Sequence, residues 1–65
     1  MLKDRLVLVE GEIARLNSIC AALYKEVAIG GCIEKVAEYS LVNDQLYTLI
    51  GERVKILELL AKGVQ

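Results

Sequence analysis

Large side chains, nearly all of them apolar, recur along the first half of the chain at alternating intervals of four and three residues. This heptad seam continues without interruption for almost four heptads. A seam of this period follows one face of an α-helix, whereas a strand requires alternation at every second residue. The pattern therefore predicts a long helix, helix 1, over about residues 3–27. The residues of the seam are Leu2, Leu6, Val9, Ile13, Leu16, Cys20, Leu23 and Val27.

Two adjacent glycines, Gly30 and Gly31, interrupt this pattern. Each glycine costs about 1 kcal/mol relative to alanine inside a helix, and glycine is common just after a helix ends. We therefore expect a turn over residues 28–32. In that turn Gly30 takes the left-handed conformation and Gly31 caps the next helix. One continuous helix through both glycines is the alternative.

The second half of the chain has the same spacing, with a further apolar stripe beside it. It predicts helix 2 from about residue 33 to about residue 62, ending at Gly63. A break near Ser40 is the alternative, because serine is a good N-cap residue. We assign the first stripe to the contact with helix 1. Its residues are Ile33, Val36, Ser40, Asn43, Tyr47, Ile50, Val54, Leu57, Ala61 and Val64.

A turn this short between two long helices indicates that they lie antiparallel. The expected fold class is therefore all-α, with residues 1–65 forming a single antiparallel two-helix hairpin (αα-hairpin). Of these 65 residues 55% are hydrophobic, which is more than the contact between two helices can cover. The simplest closure is a homodimer that forms a four-helix bundle. In such a bundle the two hairpins can lie either parallel or antiparallel to each other.

Two surfaces are candidates for this oligomer interface. One is a stripe of small residues on helix 1, opposite the seam, which would let another backbone approach closely. Alanine is also the best helix former, so this stripe has an alternative explanation in helix propensity. The other surface is the further apolar stripe of helix 2. The assigned residues are Val7, Gly11, Ala14, Ser18, Ala21, Val42, Leu46, Leu49, Ile56 and Leu60.

A polar layer is expected inside the apolar seam at the middle of the bundle. In an antiparallel hairpin with this turn, residues face each other when their numbers sum to about 61. Asn17, Ser40 and Asn43 then lie close together, and a buried Asn at such a position fixes helix register and oligomeric state. The alternative is that Asn43 lies at an edge and bonds to water.

The same pairing rule places three other polar side chains. Arg53 falls within the apolar arc of helix 2, where we expect its guanidinium to pair with Glu12 or Glu10. Tyr24 and Tyr39 are expected to stack near the turn.

The residue types exclude several kinds of chemistry. The chain has no His, so catalysis by imidazole is excluded, and its two separated Cys residues do not make a zinc site. We expect no enzyme activity, no cofactor, and no catalytic, cofactor-binding or metal-binding residues. Cys20 and Cys32 are too far apart along the bundle for a disulfide. Two reduced thiols indicate a cytoplasmic protein.

Two further classes of partner are disfavoured. The longest stretch without a charged residue is the nine residues from Leu16 to Tyr24, whereas a helix needs about 20 apolar residues to cross a membrane. We therefore expect no membrane span. The net charge is −1, and the basic residues are dispersed among acidic ones, which argues against nucleic acid.

Three functional hypotheses follow from the sequence. The first is a small, self-associating protein–protein interaction module that serves as an adaptor, regulator or assembly factor. The second is a co-chaperone-like subunit of a hetero-oligomer, whose apolar faces cover a partner protein. The third, which the charge pattern disfavours, is an RNA- or DNA-binding four-helix bundle.

Overall fold

The computed structural model of the chain describes residues 1–63. Within that range the chain contains two long helices, α1 (Leu2–Ala28) and α2 (Val36–Ala61). A short 3-10 helix, Ile33–Lys35, leads directly into α2. The prediction of an all-helical chain with two helices is confirmed. Val64, the last residue of the stripe assigned to helix 2, lies outside the described residues.

The observed helix bounds differ from the expected ones by one to three residues. Helix 1 was expected over about residues 3–27 and helix 2 over about residues 33–62. In the structure the first turn of the second segment is 3-10 rather than α-helical. The helix α2 continues through Ser40, so the break considered there does not occur. The two helices also do not merge across the glycines.

Backbone hydrogen bonds close the turn between the helices. The N–H of Gly30 donates to the carbonyl oxygen of Lys25 at 3.0 Å, and the N–H of Cys32 donates to that of Glu26 at 2.9 Å. Because Gly30 still bonds to the last turn of α1, the reversal of the chain falls one residue later than expected. Gly31, at φ +69°, takes the left-handed conformation. Cys32, rather than Gly31, is the residue that precedes the 3-10 helix.

We expect the Gly31→Ala variant to lose about 1 kcal/mol of unfolding free energy, because alanine is strained at this φ. A matched control is Gly51→Ala in the interior of α2, where a Cβ would meet no atom of the described chain within 4 Å. That variant should gain about 0.5–1 kcal/mol from helix propensity. Urea unfolding followed by circular dichroism measures both. A Gly31→Ala variant as stable as Gly51→Ala would contradict the assigned turn geometry.

The two helices pack side by side and antiparallel. Near the open end of the hairpin Arg5 of α1 forms an ion pair with Glu52 of α2. Near the turn the rings of Tyr24 and Tyr39 lie 6.1 Å apart at an angle of 50°. The expected proximity of these two tyrosines is confirmed, with the rings tilted rather than stacked. The resulting molecule is 48 Å long and 14 by 13 Å across.

The core lies between the helices, and α1 contributes to it the residues that its heptad seam predicts. All eight seam residues are buried or half-buried, and the other residues of α1 are exposed. Four of the eight are buried, and two residues of α2 join them. The buried residues are Val9, Ile13, Leu16, Leu23, Leu46 and Ile56.

The helix α2 packs against α1 through a different stripe from the expected one. Tyr47, which was assigned to the contact, is 66% exposed, and Val54 is also exposed. The two stripes of α2 have the same spacing and lie side by side, so either can face α1 after a small rotation of α2 about its axis. In the structure the other stripe packs against α1. Its residues are Tyr39, Val42, Leu46, Leu49, Arg53, Ile56 and Leu60.

Candidate interaction surface

The residues of α2 assigned to the oligomer interface lie inside the hairpin. Two of them are buried, and the other three are partly buried and packed against the core of the same chain. Their sequence assignment is therefore corrected: they form the contact with α1 within the chain. These residues are Val42, Leu46, Leu49, Ile56 and Leu60.

The residues of α1 assigned to the interface are all exposed. We call this set the small-residue stripe; it comprises Val7, Gly11, Ala14, Ser18 and Ala21. Val7 is 68% exposed, and a Cβ added to Gly11 would meet no atom of the described chain within 4 Å. Packing within one hairpin therefore gives no reason for a glycine at position 11.

The stripe of α2 that was expected to contact α1 is instead a surface feature. It is free of charged residues along its whole described length and borders the core through the half-buried residues Asn43 and Ile50. Several of its large side chains are exposed, with Ile33 at 81% and Val36 at 45%. We call this set the apolar stripe; it comprises Ile33, Val36, Ser40, Asn43, Tyr47, Ile50, Val54, Leu57 and Ala61.

One edge of the hairpin is ionic. Arg5 pairs with Glu52 there, and Glu26 lies 3.6 Å from Lys35, measured from Oε2 to Nζ. On α1, positions 5, 12 and 26 recur at multiples of seven and so share one side of the helix. Glu12 accepts a hydrogen bond of 2.7 Å from Arg15, which lowers the pKa of the Glu12 carboxyl. We call this side the ionic edge.

The opposite edge carries the apolar stripe. The thiol of Cys20 lies 3.9 Å from Oδ1 of Asn43, so this side of α1 meets the apolar-stripe side of α2. Tyr24 is on the same side and approaches Tyr39. Glu10 and Asn17 precede Tyr24 at intervals of seven, and the alanines of the small-residue stripe lie next to that row. We call this side the apolar edge.

The structure brings together only part of the expected polar layer. Asn43 is half-buried, and its Oδ1 lies 3.9 Å from the thiol of Cys20. Asn17 and Ser40 are both exposed at the apolar edge. The neighbours of Asn43 differ from the expected ones because α2 is rotated relative to the assignment made from the sequence.

Arg53 is the polar residue that the fold leaves least satisfied. It lies on the stripe of α2 that contacts α1, and its Nε is buried without a hydrogen-bond partner in residues 1–63. The expected ion pairs are not formed: Glu12 binds Arg15, its neighbour in α1, and no ion pair in that range joins Arg53 to Glu10. A buried donor without an acceptor costs roughly 1–3 kcal/mol.

The described residues contain no group of three or more His, Cys, Asp or Glu side chains that could hold a metal ion. Both cysteines are free thiols and both are half-buried.

Removal from water, together with the nearby thiol of Cys20, raises the pKa of the Tyr39 hydroxyl. Along the apolar edge the described chain exposes large apolar side chains.

No described helix combines the length and the apolar character that a membrane crossing requires. No protein-family model matches the chain, and no similar curated protein or solved structure is found.

Proposed function

We propose that this protein is a small, non-enzymatic protein–protein interaction or assembly module that self-associates through its apolar edge. One observation carries the proposal. The apolar stripe holds large exposed side chains without a single charge, and the exposed alanines Ala14 and Ala21 of α1 lie toward the same edge. A cluster of large exposed apolar side chains is characteristic of an interaction site in a folded protein.

The modest core of the single hairpin supports association. Six side chains are buried, and none of them in the described chain is less than 2% exposed. Chains of this size rarely gain more than about 3–5 kcal/mol from one hydrophobic core. Covering the apolar edge would add the buried surface that one hairpin lacks. Association then adds to the stability of the fold.

The proposed occupant of this edge is a second copy of the same chain. The edge is as long as the 48 Å hairpin and two helices wide. That size fits the roughly 800 Å² per partner that stable interfaces bury. The α2 side of the edge carries large side chains, and Ala14 and Ala21 lie next to its α1 side. A second copy therefore offers small residues on which the large ones can pack. The free thiols fit a reducing compartment, and we place the protein in the cytoplasm.

Sedimentation equilibrium, combined with thermal unfolding at two protein concentrations, tests this proposal. We expect a mass of twice 7.2 kDa and a Tm that rises with concentration, because dilution favours the less stable monomer. A monomeric mass with a Tm independent of concentration would contradict self-association. Aggregation or partial unfolding of the purified chain would also contradict it, and would favour a co-chaperone-like subunit that needs a different partner protein.

A further inference from the structure

We propose that the two copies associate with their turns at the same end, so that α2 of each copy packs against α1 of the other. This inference rests on the proposed self-association and adds its geometry. A two-fold axis parallel to the helices generates the arrangement, and every pair of neighbouring helices in the resulting four-helix bundle is antiparallel. The alternative two-fold axis places the turns at opposite ends, with α2 against α2 and α1 against α1.

The sizes of the side chains favour the first arrangement. The Cys20–Asn43 and Tyr24–Tyr39 contacts fix which residues share a level along the hairpin. An axis parallel to the helices leaves each residue at its own level. Tyr47 then lies within about 3 Å of the level of Ala14 of the second copy. A large residue of α2 then packs on a small residue of α1. With the turns at opposite ends, large residues would meet large ones and small residues would meet small ones.

The charges favour the same arrangement. Glu10 precedes Cys20 by ten positions and Arg53 follows Asn43 by ten, so Glu10 and Arg53 share a level. Glu10 is exposed on the apolar edge, and Arg53 has a buried Nε without a partner in the described part of the chain. Docking two apolar edges with the turns together brings Glu10 of each copy to Arg53 of the other. The carboxylate gives the guanidinium an ion-pair partner, which the described part of its own chain does not provide.

The opposite arrangement leaves Arg53 without a carboxylate. Its level would then match about residue 20 of α1 in the second copy. The residues of the apolar edge near that level are Asn17, Ala21 and Tyr24, and none of them is acidic. The interchain ion pair therefore distinguishes the two arrangements.

Mixing two charge-reversal variants tests the ion pair. Arg53→Glu alone places two acidic side chains together at each contact, and Glu10→Arg alone places two basic ones together. We expect each variant by itself to dimerise at least about tenfold more weakly than the wild type. A one-to-one mixture should form a heterodimer of near wild-type affinity, because both of its contacts join opposite charges. If the pair formed within one chain, each variant would keep its own repulsion and mixing would restore nothing, which would overturn the proposal.

A distance measurement tests the arrangement without charge changes. A spin label on Cys32, in a Cys20→Ala background, marks the turn. With the turns together we expect a separation below about 30 Å, since neighbouring helices lie about 8–10 Å apart. A separation near the 48 Å length of the hairpin would overturn this inference while leaving self-association standing. A wild-type chain that is monomeric by sedimentation would instead overturn the proposed function, and this inference with it.

Discussion

Replacing Leu16 by alanine is expected to leave the hairpin largely unfolded at room temperature. Leu16 is 5% exposed and belongs to the core cluster between the helices. Truncation of a buried leucine costs about 2–5 kcal/mol, through lost burial and the cavity left behind. Losses of that size match the whole stability that a core this small supplies. Far-ultraviolet circular dichroism during thermal unfolding measures the effect.

Leu8→Ala is the matched control for this prediction. It removes the same atoms from the same helix, but Leu8 is 67% exposed. We expect a change within about 0.5 kcal/mol, as is usual for surface substitutions. Equal melting curves for the two variants would mean that Leu16 does not lie in the core.

Replacing Tyr47 by glutamate is expected to dissociate the dimer while leaving the hairpin fold in place. Tyr47 is exposed within one chain, so the change removes little from the core. In the proposed dimer the new carboxylate would be buried against alanine without a counter-charge. An unpaired buried charge costs about 3–5 kcal/mol, which weakens association more than a hundredfold. Sedimentation velocity at a fixed concentration should show a shift from dimer to monomer.

Leu8→Glu serves as the control for this second prediction. Leu8 and Tyr47 are almost equally exposed, but Leu8 precedes Arg15 by seven positions and so lies toward the ionic edge. We expect the dimer affinity of this variant to stay within a few-fold of the wild type. Dissociation caused by Leu8→Glu, and not by Tyr47→Glu, would place the interface on the ionic edge.

The helix α1 was predictable because only one of its faces carries a row of large apolar residues. Its other positions hold charged, polar or small residues and scattered large ones, so the heptad count has a single solution. The helix α2 has two apolar stripes with the same period, and spacing alone does not choose between them. Composition does not choose either, because each stripe contains five large aliphatic residues. Polar residues interrupt both, with Arg53 in the stripe that contacts α1 and Ser40 and Asn43 in the apolar stripe.

Local geometry explains the other differences between expectation and structure. The adjacent glycines predicted a turn, but which one takes the left-handed conformation depends on how many N–H groups still bond to the last turn of α1. Arg53 was expected to bind Glu12 or Glu10. Glu12 instead binds Arg15, three residues away on the same helix, because that pair forms without ordering a second element. A pairing rule based on residue level does not include this competition.

If the chain self-associates as proposed, the ionic edge limits how far the assembly grows. Its charged side chains already have partners within the chain at Arg5, Glu12 and Glu26, and they remain well hydrated. Each chain therefore offers one apolar edge, and a two-fold pair uses that edge on both members. Growth stops there, because an open filament requires a second adhesive surface on each subunit. The arrangement of charges on the far side of the hairpin thus favours a closed assembly of defined size over a fibre.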